Sequence, residues 1–310
     1  MKFEPIKLLP AFKDYLWGGT RLRTEYNKKT ELEKVAESWE LSTHKDGQSV
    51  VASGEHSGML LGEYVERFDV LGNNAKNFDF FPILIKFIDA KDNLSVQVHP
   101  ADEYSLRNNG EYGKTEMWYV LDCEPGASLY YGFNREIDKD EFRKRIADNT
   151  LLEVLNKVPV KKGDIFFIEA GTVHAIGKGI MICEIQQNSN TTYRVYDYDR
   201  RDSNGNTRPL HIEQAIEVSD LFPPNPQEKL PENVLASCKY FTVEKYDVRN
   251  SLDIPVTEDC FKSVIVLDGK GEIEYDGGKM EVAKGDSIFI PAQNGAVKIT
   301  GECEIIVSYV

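Results

Sequence analysis

Gln97, His99, Glu116 and His174 are the residues of this 310-residue chain whose types and order could hold a divalent cation. Gln97 and His99 lie two apart in DNLSVQVHPADEY (92–104), at the end of an apolar run. Side chains two apart in a strand point to one face. The amide and the imidazole therefore look together into whatever the sheet encloses. Glu116 opens the run EMWYVLD (116–122), and His174 follows the turn after DIFFIEA (164–170). Two imidazoles, a carboxylate and an amide oxygen form a mixed N/O donor set. It suits Zn²⁺, Mn²⁺ or Fe²⁺, with water or substrate completing the shell. Amide ligation is uncommon, so Gln97 either binds through its oxygen or orients a water. Taken singly, each histidine has a plainer reading: His99 as a turn residue before Pro100, His174 as a residue bonded to its own loop. His44 and His56 sit in polar turns where loop or surface roles are expected, and His211 opens a helical pattern without an assigned role.

Such a set needs several strands to converge. FPILIKFID (81–89), LSVQVHP (94–100), EMWYVLD, SLYYGF (128–133), DIFFIEA and IMICEIQQ (180–187) are short runs rich in β-branched and aromatic residues, separated by Gly, Asp and Asn. That spacing predicts a sandwich or barrel, and small barrels have room inside for one ligand or metal. Helical spacing predicts helices within 138–156, 61–72 and 208–220. Four prolines in residues 221–234 mark a boundary, after which strand-like runs resume.

The two β regions share a pattern. GDIFFIEAGTVH (163–174) resembles the second motif of the cupin family, G-x5-P-x-G-x2-H, with Gly163, Gly171 and His174 in register and Glu169 at the proline. GDSIFIPAQNGA (285–296) keeps Gly285 and Pro291 but has Asn294 and Ala296 where a glycine turn and a metal histidine are expected. No histidine follows His211. The expected fold is mainly β: two cupin-type (jelly-roll) barrels, with a few helices inserted in the N-terminal one. The expected domains are a metal-competent unit over 1–222 with a helical insertion at about 134–157, a linker over 223–234, and a β unit over 235–310 without metal ligands.

Composition narrows the function. A content of 41% hydrophobic and 28% charged residues is that of a globular protein. The net charge of −14 opposes nucleic-acid and anionic-membrane partners, so an anionic substrate needs a local cluster of Lys and Arg. The N-terminus lacks a signal-peptide layout and no run of about 18 apolar residues occurs. Five scattered cysteines without a CxxC read as reduced thiols of a cytoplasmic protein.

FFPILIKFIDAKDNLSVQVHP, GKTEMWYVLD, GTVHAIGKG and EIQQNSNTTYRVYDYDR together resemble type I mannose-6-phosphate isomerase in its short bacterial form, over most of residues 5–220. The resemblance implies interconversion of mannose 6-phosphate and fructose 6-phosphate with one bound Zn²⁺ held by Gln97, His99, Glu116 and His174. It also implies a catalytic Arg194, an active-site Lys114 and a Glu184 carboxylate near the substrate. The family's long form carries a larger helical domain, which shrinks here to 134–157, so its phosphate contacts do not transfer. Proton transfer between C1 and C2 needs an electrophile and a base. Arg194 would stabilise developing oxygen charge or hold the phosphate, unless it is spent on an ion pair with Asp197 or Asp199. An alternating strand through YRVYDYDR would put Arg194, Tyr196 and Tyr198 on one face. Glu184 and Lys114 are both candidate bases, Lys114 being alternatively a solvated loop lysine. Glu40, in ESWELSTH, reaches the site or sits structurally beside Trp39. The expected partner is a small sugar phosphate, with no nucleic acid or membrane, and the expected state a monomer or weak homodimer. Competing readings are a non-catalytic sugar-binding or regulatory cupin, and another cupin metalloenzyme such as an iron dioxygenase or an iron-dependent sugar-phosphate isomerase.

Overall fold

A computed structural model describes residues 3–201, 204–226 and 229–310. The protein is mainly β, with few helices. Strands among the described residues form sheets of six, five and nine. The six-stranded sheet runs Ile165–Ile168, Glu116–Cys123, Ile180–Gln187, Ile83–Ala90, Glu37–Leu41, Ala11–Lys13. The five-stranded sheet runs Tyr193–Tyr196, Val96–Val98, His174–Ala175, Ser128–Phe133, Leu155–Pro159.

The middle of the six-stranded sheet is buried on both faces, which is why its strands read as nearly continuous apolar runs. Alternation still sorts their side chains. Ile180 and Ile182 join Trp118, Val120, Ile88 and Ala90 in a core shared with Leu129 of the five-stranded sheet and with Ile176, just past its strand His174–Ala175. Met181, Cys183 and Ile185 point the other way, into a second core with Phe87, Met117, Phe289 and Ile306. Each buried Ile, Leu or Phe contributes about 1.5–3 kcal/mol, so a register slip of one residue is strongly disfavoured. The same alternation sends Lys86, Glu116 and Glu184 inward, between the six- and five-stranded sheets.

The outer face of the five-stranded sheet carries two of the expected helices. Lys139–Ala147 is capped by Asp138, whose carboxylate accepts from the Glu141 amide at 2.7 Å. It buries Phe142 and Ile146, one turn apart, with Phe142 edge-on to Phe133. Ile212–Val218 packs in the same cluster through Ala215 and Ile216. The helical pattern over 138–156 is cut short: Asn149 takes φ +62°, a 3₁₀ turn follows at Leu151–Val154, and Leu155 begins a strand. The helix expected within 61–72 is Leu61–Arg67. Helix Asp102–Asn109, closed by Gly110 at φ +69°, has no apolar stripe to announce it.

The nine-stranded sheet holds the C-terminal strands from Val234–Ser237 to Gly295–Tyr309 and also two N-terminal ones, Ile6–Leu9 and Val50–Val51. Ile6 pairs with Phe289 and Leu8 with Ser287. The repeated Gly-Asp turns share geometry, with φ +89° at Gly163 and +90° at Gly285. Ala296, matching His174, is exposed, and Asn294 donates to the Phe3 carbonyl at 2.6 Å. Within the proline-rich stretch, residues 227–228 lie outside the described residues. No helix among the described residues is long and apolar enough to cross a membrane.

Candidate metal centre and active site

His99, Glu116 and His174 offer ligand atoms within 4.8 Å of one another, all buried. His174 sits on a two-residue strand paired to Gln97 on one side and Tyr131 on the other. Each imidazole is oriented from behind. His99 Nδ1 lies 2.8 Å from the Thr191 carbonyl and His174 Nδ1 2.8 Å from the Thr172 carbonyl. A carbonyl can only accept, so each Nδ1 carries the proton and each Nε2 presents a lone pair. Burial lowers the basicity of both rings, His174 to about 4. The lone pairs point at a carboxylate: His174 Nε2 is 3.5 Å from Glu116 Oε1, and His99 Nε2 is 3.7 Å from Glu116 Oε2. His174 Nε2 and Glu116 Oε1 are buried without a hydrogen-bond partner among the described residues. Facing acceptors with nothing between them are costly in a buried site. A cation would satisfy them, and this donor set fits one.

Gln97 flanks the cluster, with Nε2 3.5 Å from His99 Nε2 and Oε1 accepting from Ser95 Oγ at 3.3 Å. The amide and His99 therefore do face one way, as the alternation of residues 96–99 predicts.

Above the cluster lies a cavity of about 360 Å³. Gln97, Lys114, His174, Glu184 and Arg194 line it, together with Lys86, Trp118 and Arg208. Lys114 is buried rather than solvated, with Nζ 2.6 Å from Glu116 Oε2, 3.2 Å from His99 Nε2 and 3.7 Å from Glu184 Oε1. Glu184 takes the Trp118 indole N–H on Oε2 at 3.0 Å, while Lys86 Nζ stands 3.4 Å from its Oε1. Burial alone would raise the Glu184 pKa, but the ammonium charges of Lys114 and Lys86 overcome it and hold the carboxyl below its usual range. Burial and the Glu184 charge push Glu116 up to about 7, against the pull of Lys114.

Arg194 donates to Ser95 Oγ at 3.1 Å and to the Pro209 carbonyl at 3.2 Å. It forms no ion pair with Asp197 or Asp199. Asp197 is instead clasped by Arg208, at 2.8 and 2.6 Å, and by Arg200. The strand of Arg194 ends at Tyr196. Tyr198 and Asp199 take φ +56° and +50°, so the alternation expected to carry Tyr198 beside Arg194 stops short. Glu40 lies away from the cavity, buried against Lys28 at 2.7 Å. His44 is buried, not superficial, and contacts Glu111 Oε2 at 3.1 Å. His211 accepts the Arg194 amide on Nδ1 at 3.2 Å, which ties the helix start to the site strand.

Sequence reasoning passed over Lys86, Trp118 and Arg208. Lys86 carried a usable signal, as the one cation inside the apolar run FPILIKFID. Its neighbours show why it is tolerated. Glu184 is paired in register with Lys86 on one side and Trp118 on the other.

Comparison with known proteins places this architecture. Residues 6–119 match the description "Phosphomannose isomerase type I, catalytic domain", and residues 232–310 match "Mannose-6-phosphate isomerase, cupin domain". The mannose-6-phosphate isomerase of Streptococcus mutans is 41% identical over 314 residues, covering 99% of this chain and 98% of the relative. A crystal structure of the mannose 6-phosphate isomerase from Bacillus subtilis superposes with a TM-score of 0.91 at 35% identity, covering 99% of this chain and all of that one. A zinc-bound mannose 6-phosphate isomerase shares the fold at a TM-score of 0.80 and 17% identity, over 99% of both chains. The 41% identity over the full length shows that the chain belongs to the type I mannose-6-phosphate isomerase family and is an isomerase.

Proposed function

We propose that the protein interconverts D-mannose 6-phosphate and D-fructose 6-phosphate through an enediol(ate), using one Zn²⁺ held by Gln97, His99, Glu116 and His174. The observation that carries this reading is the pair of buried acceptors without a partner among the described residues, His174 Nε2 and Glu116 Oε1, beneath a cavity lined by more cations than anions against a net charge of −14. A zinc-bound relative with the same fold supports the choice of metal. A cation held by these residues would supply Lewis-acid stabilisation of the negative charge that develops on the sugar oxygens.

The chain's own residues supply the rest. Glu184 Oε1 faces only the ammonium groups of Lys86 and Lys114 among the described residues, and these keep it ionised; we assign it the proton transfer between C1 and C2. Lys114, adjacent to both Glu116 and Glu184, balances their charge and is placed to carry a proton to or from a sugar oxygen. Arg194 and Arg208 line the cavity; Arg194 offers its guanidinium to the phosphate or to developing oxygen charge, while Arg208, held on Asp197, adds positive charge to the wall. Acting on a small soluble sugar phosphate calls for neither nucleic acid nor membrane, and five free thiols suit a cytoplasmic setting. A monomer or weak homodimer suffices, because the donor set and cavity come from one chain.

A coupled assay on mannose 6-phosphate, with and without chelator and followed by Zn²⁺ add-back, tests the reading. Turnover lost to the chelator and restored by zinc is expected. Undiminished turnover after verified metal removal would reject the metal's role, and absence of turnover in the zinc-loaded protein would reject the substrate. The non-catalytic sugar-binding reading predicts that last result.

A further inference from the structure

The segment bearing Lys114 and Glu116 is held by the C-terminal part of the chain. Tyr240 sits in the connection between Val234–Ser237 and Thr242–Val248, both in the nine-stranded sheet. Its hydroxyl donates to Asp102 Oδ2 at 2.7 Å. The other oxygen of Asp102 accepts from the Gly113 amide at 2.9 Å and from Gln187 Nε2 at 2.8 Å. Gln187 turns its own Oε1 to the Thr115 amide at 2.9 Å. The main chain on either side of Lys114 is thus anchored to one carboxylate and one amide, and the carboxylate is anchored to Tyr240.

From Glu116 onward the segment is fixed by strand pairing, Glu116 standing in register with Ile168 and Gln186, so the Asp102 and Gln187 bonds act on its entry through residues 113–115. The Lys114 amide donates to the Pro100 carbonyl at 3.0 Å, and the Gln187 amide donates to the Thr115 carbonyl at 3.1 Å. Gly113 leaves no slack, since a Cβ there would come within 2.6 Å of the main chain at Ala101 and Asp102. Tyr240 is half-buried and its phenol spans the two halves of the molecule.

We propose that Tyr240 is a positioning residue: through Asp102 it sets the placement of Lys114 and Glu116, so the C-terminal β unit tunes metal affinity and turnover at a site it does not line. This rests on the reading of Glu116 as a metal ligand. Outer partners that orient metal ligands are worth about 10–100-fold in affinity. A phenol removed from the second link should cost about tenfold in Zn²⁺ affinity, with a loss in kcat at saturating zinc and little change in KM.

The test uses the full-length protein carrying Tyr240→Phe, Asp102→Asn and both together. Zn²⁺ affinity is read by chelator competition, and Co²⁺ loading by its visible spectrum. Turnover and thermal midpoint are followed in parallel. Tyr240→Phe removes only a hydroxyl and keeps the ring, which guards against simple unfolding. A weakened Zn²⁺ affinity in both single variants, with the double variant no worse than the poorer single, is expected. Wild-type affinity and kcat in Tyr240→Phe overturns the proposal, as do strictly additive effects in the double variant. The affinity readout is independent of the substrate. A wild-type protein without mannose 6-phosphate turnover but with the predicted affinity losses would reject the activity and keep the positioning role.

Discussion

Lys86 and Glu184 are opposite charges placed side by side in the middle strands of a sheet buried on both faces. Isolated, either would be prohibitive there; paired and facing a polar cavity, they hold one another charged. If Lys86 serves to keep Glu184 ionised, Lys86→Met removes a positive neighbour and the Glu184 pKa rises. The acid limb of the kcat/KM profile should then move to higher pH, by about one unit. A limb that stays in place would dismiss that role. Glu184→Gln should lower kcat by about 10²–10⁴-fold and abolish exchange of the C2 hydrogen with solvent deuterium, while Zn²⁺ content stays at wild type; retained exchange would move the base to Lys114. His174→Ala and Glu116→Ala should lose metal by elemental analysis. Gln97→Ala should lose less, in keeping with its place at the edge of the cluster; full metal content in all three would refute the ligand set.

At the scale of elements, the turn before His174 is the sensitive part. Gly171 takes φ +95°, its amide donates to the His99 carbonyl at 2.9 Å, and its carbonyl accepts from the Asp220 amide at 2.9 Å. It therefore holds the strands of both imidazoles together. A Cβ there would also lie 2.7 Å from Asp220 Oδ2. Gly171→Ala should cost about 1–3 kcal/mol, read from urea denaturation, and should weaken Zn²⁺ binding as well. An unchanged midpoint and affinity would show that the turn is not under this constraint. The helix Asp102–Asn109 illustrates what periodicity misses: its value lies in its first residue, a hydrogen-bond hub, and not in an apolar face.

For the whole molecule, the core between the six- and nine-stranded sheets is continuous. Phe81 stacks on Phe261 at 5.5 Å and Phe261 on Phe289 at 5.2 Å, while Ile6–Leu9 crosses to pair with Ser287–Ile290. Phe261→Ala should cost about 3–5 kcal/mol. All three tryptophans lie at Trp17, Trp39 and Trp118, so their fluorescence reports the N-terminal part. The thermal midpoint read by tryptophan should fall in Phe261→Ala, because the two parts unfold together. A tryptophan transition unmoved by this substitution would show them to be independent.

Sequence alone determined what depends on local order. Strand alternation turned Gln97 and His99 to one side, and the spacing Gly163, Gly171, His174 marked a turn that delivers an imidazole. The apolar runs marked the strands. The helices Lys139–Ala147, Leu61–Arg67 and Ile212–Val218 were visible in their spacing, though not where the first would stop, because a left-handed Asn149 leaves no periodic trace. Only the tertiary structure decided which charges meet. Lys86 faces Glu184, Arg208 takes Asp197 and leaves Arg194 to the cavity, Lys28 claims Glu40, and Tyr240 reaches Asp102 across 138 residues. Periodicity tells which face a side chain occupies. Strand order and register tell what stands opposite it, and those are set by the burial of whole faces, a property no short stretch contains.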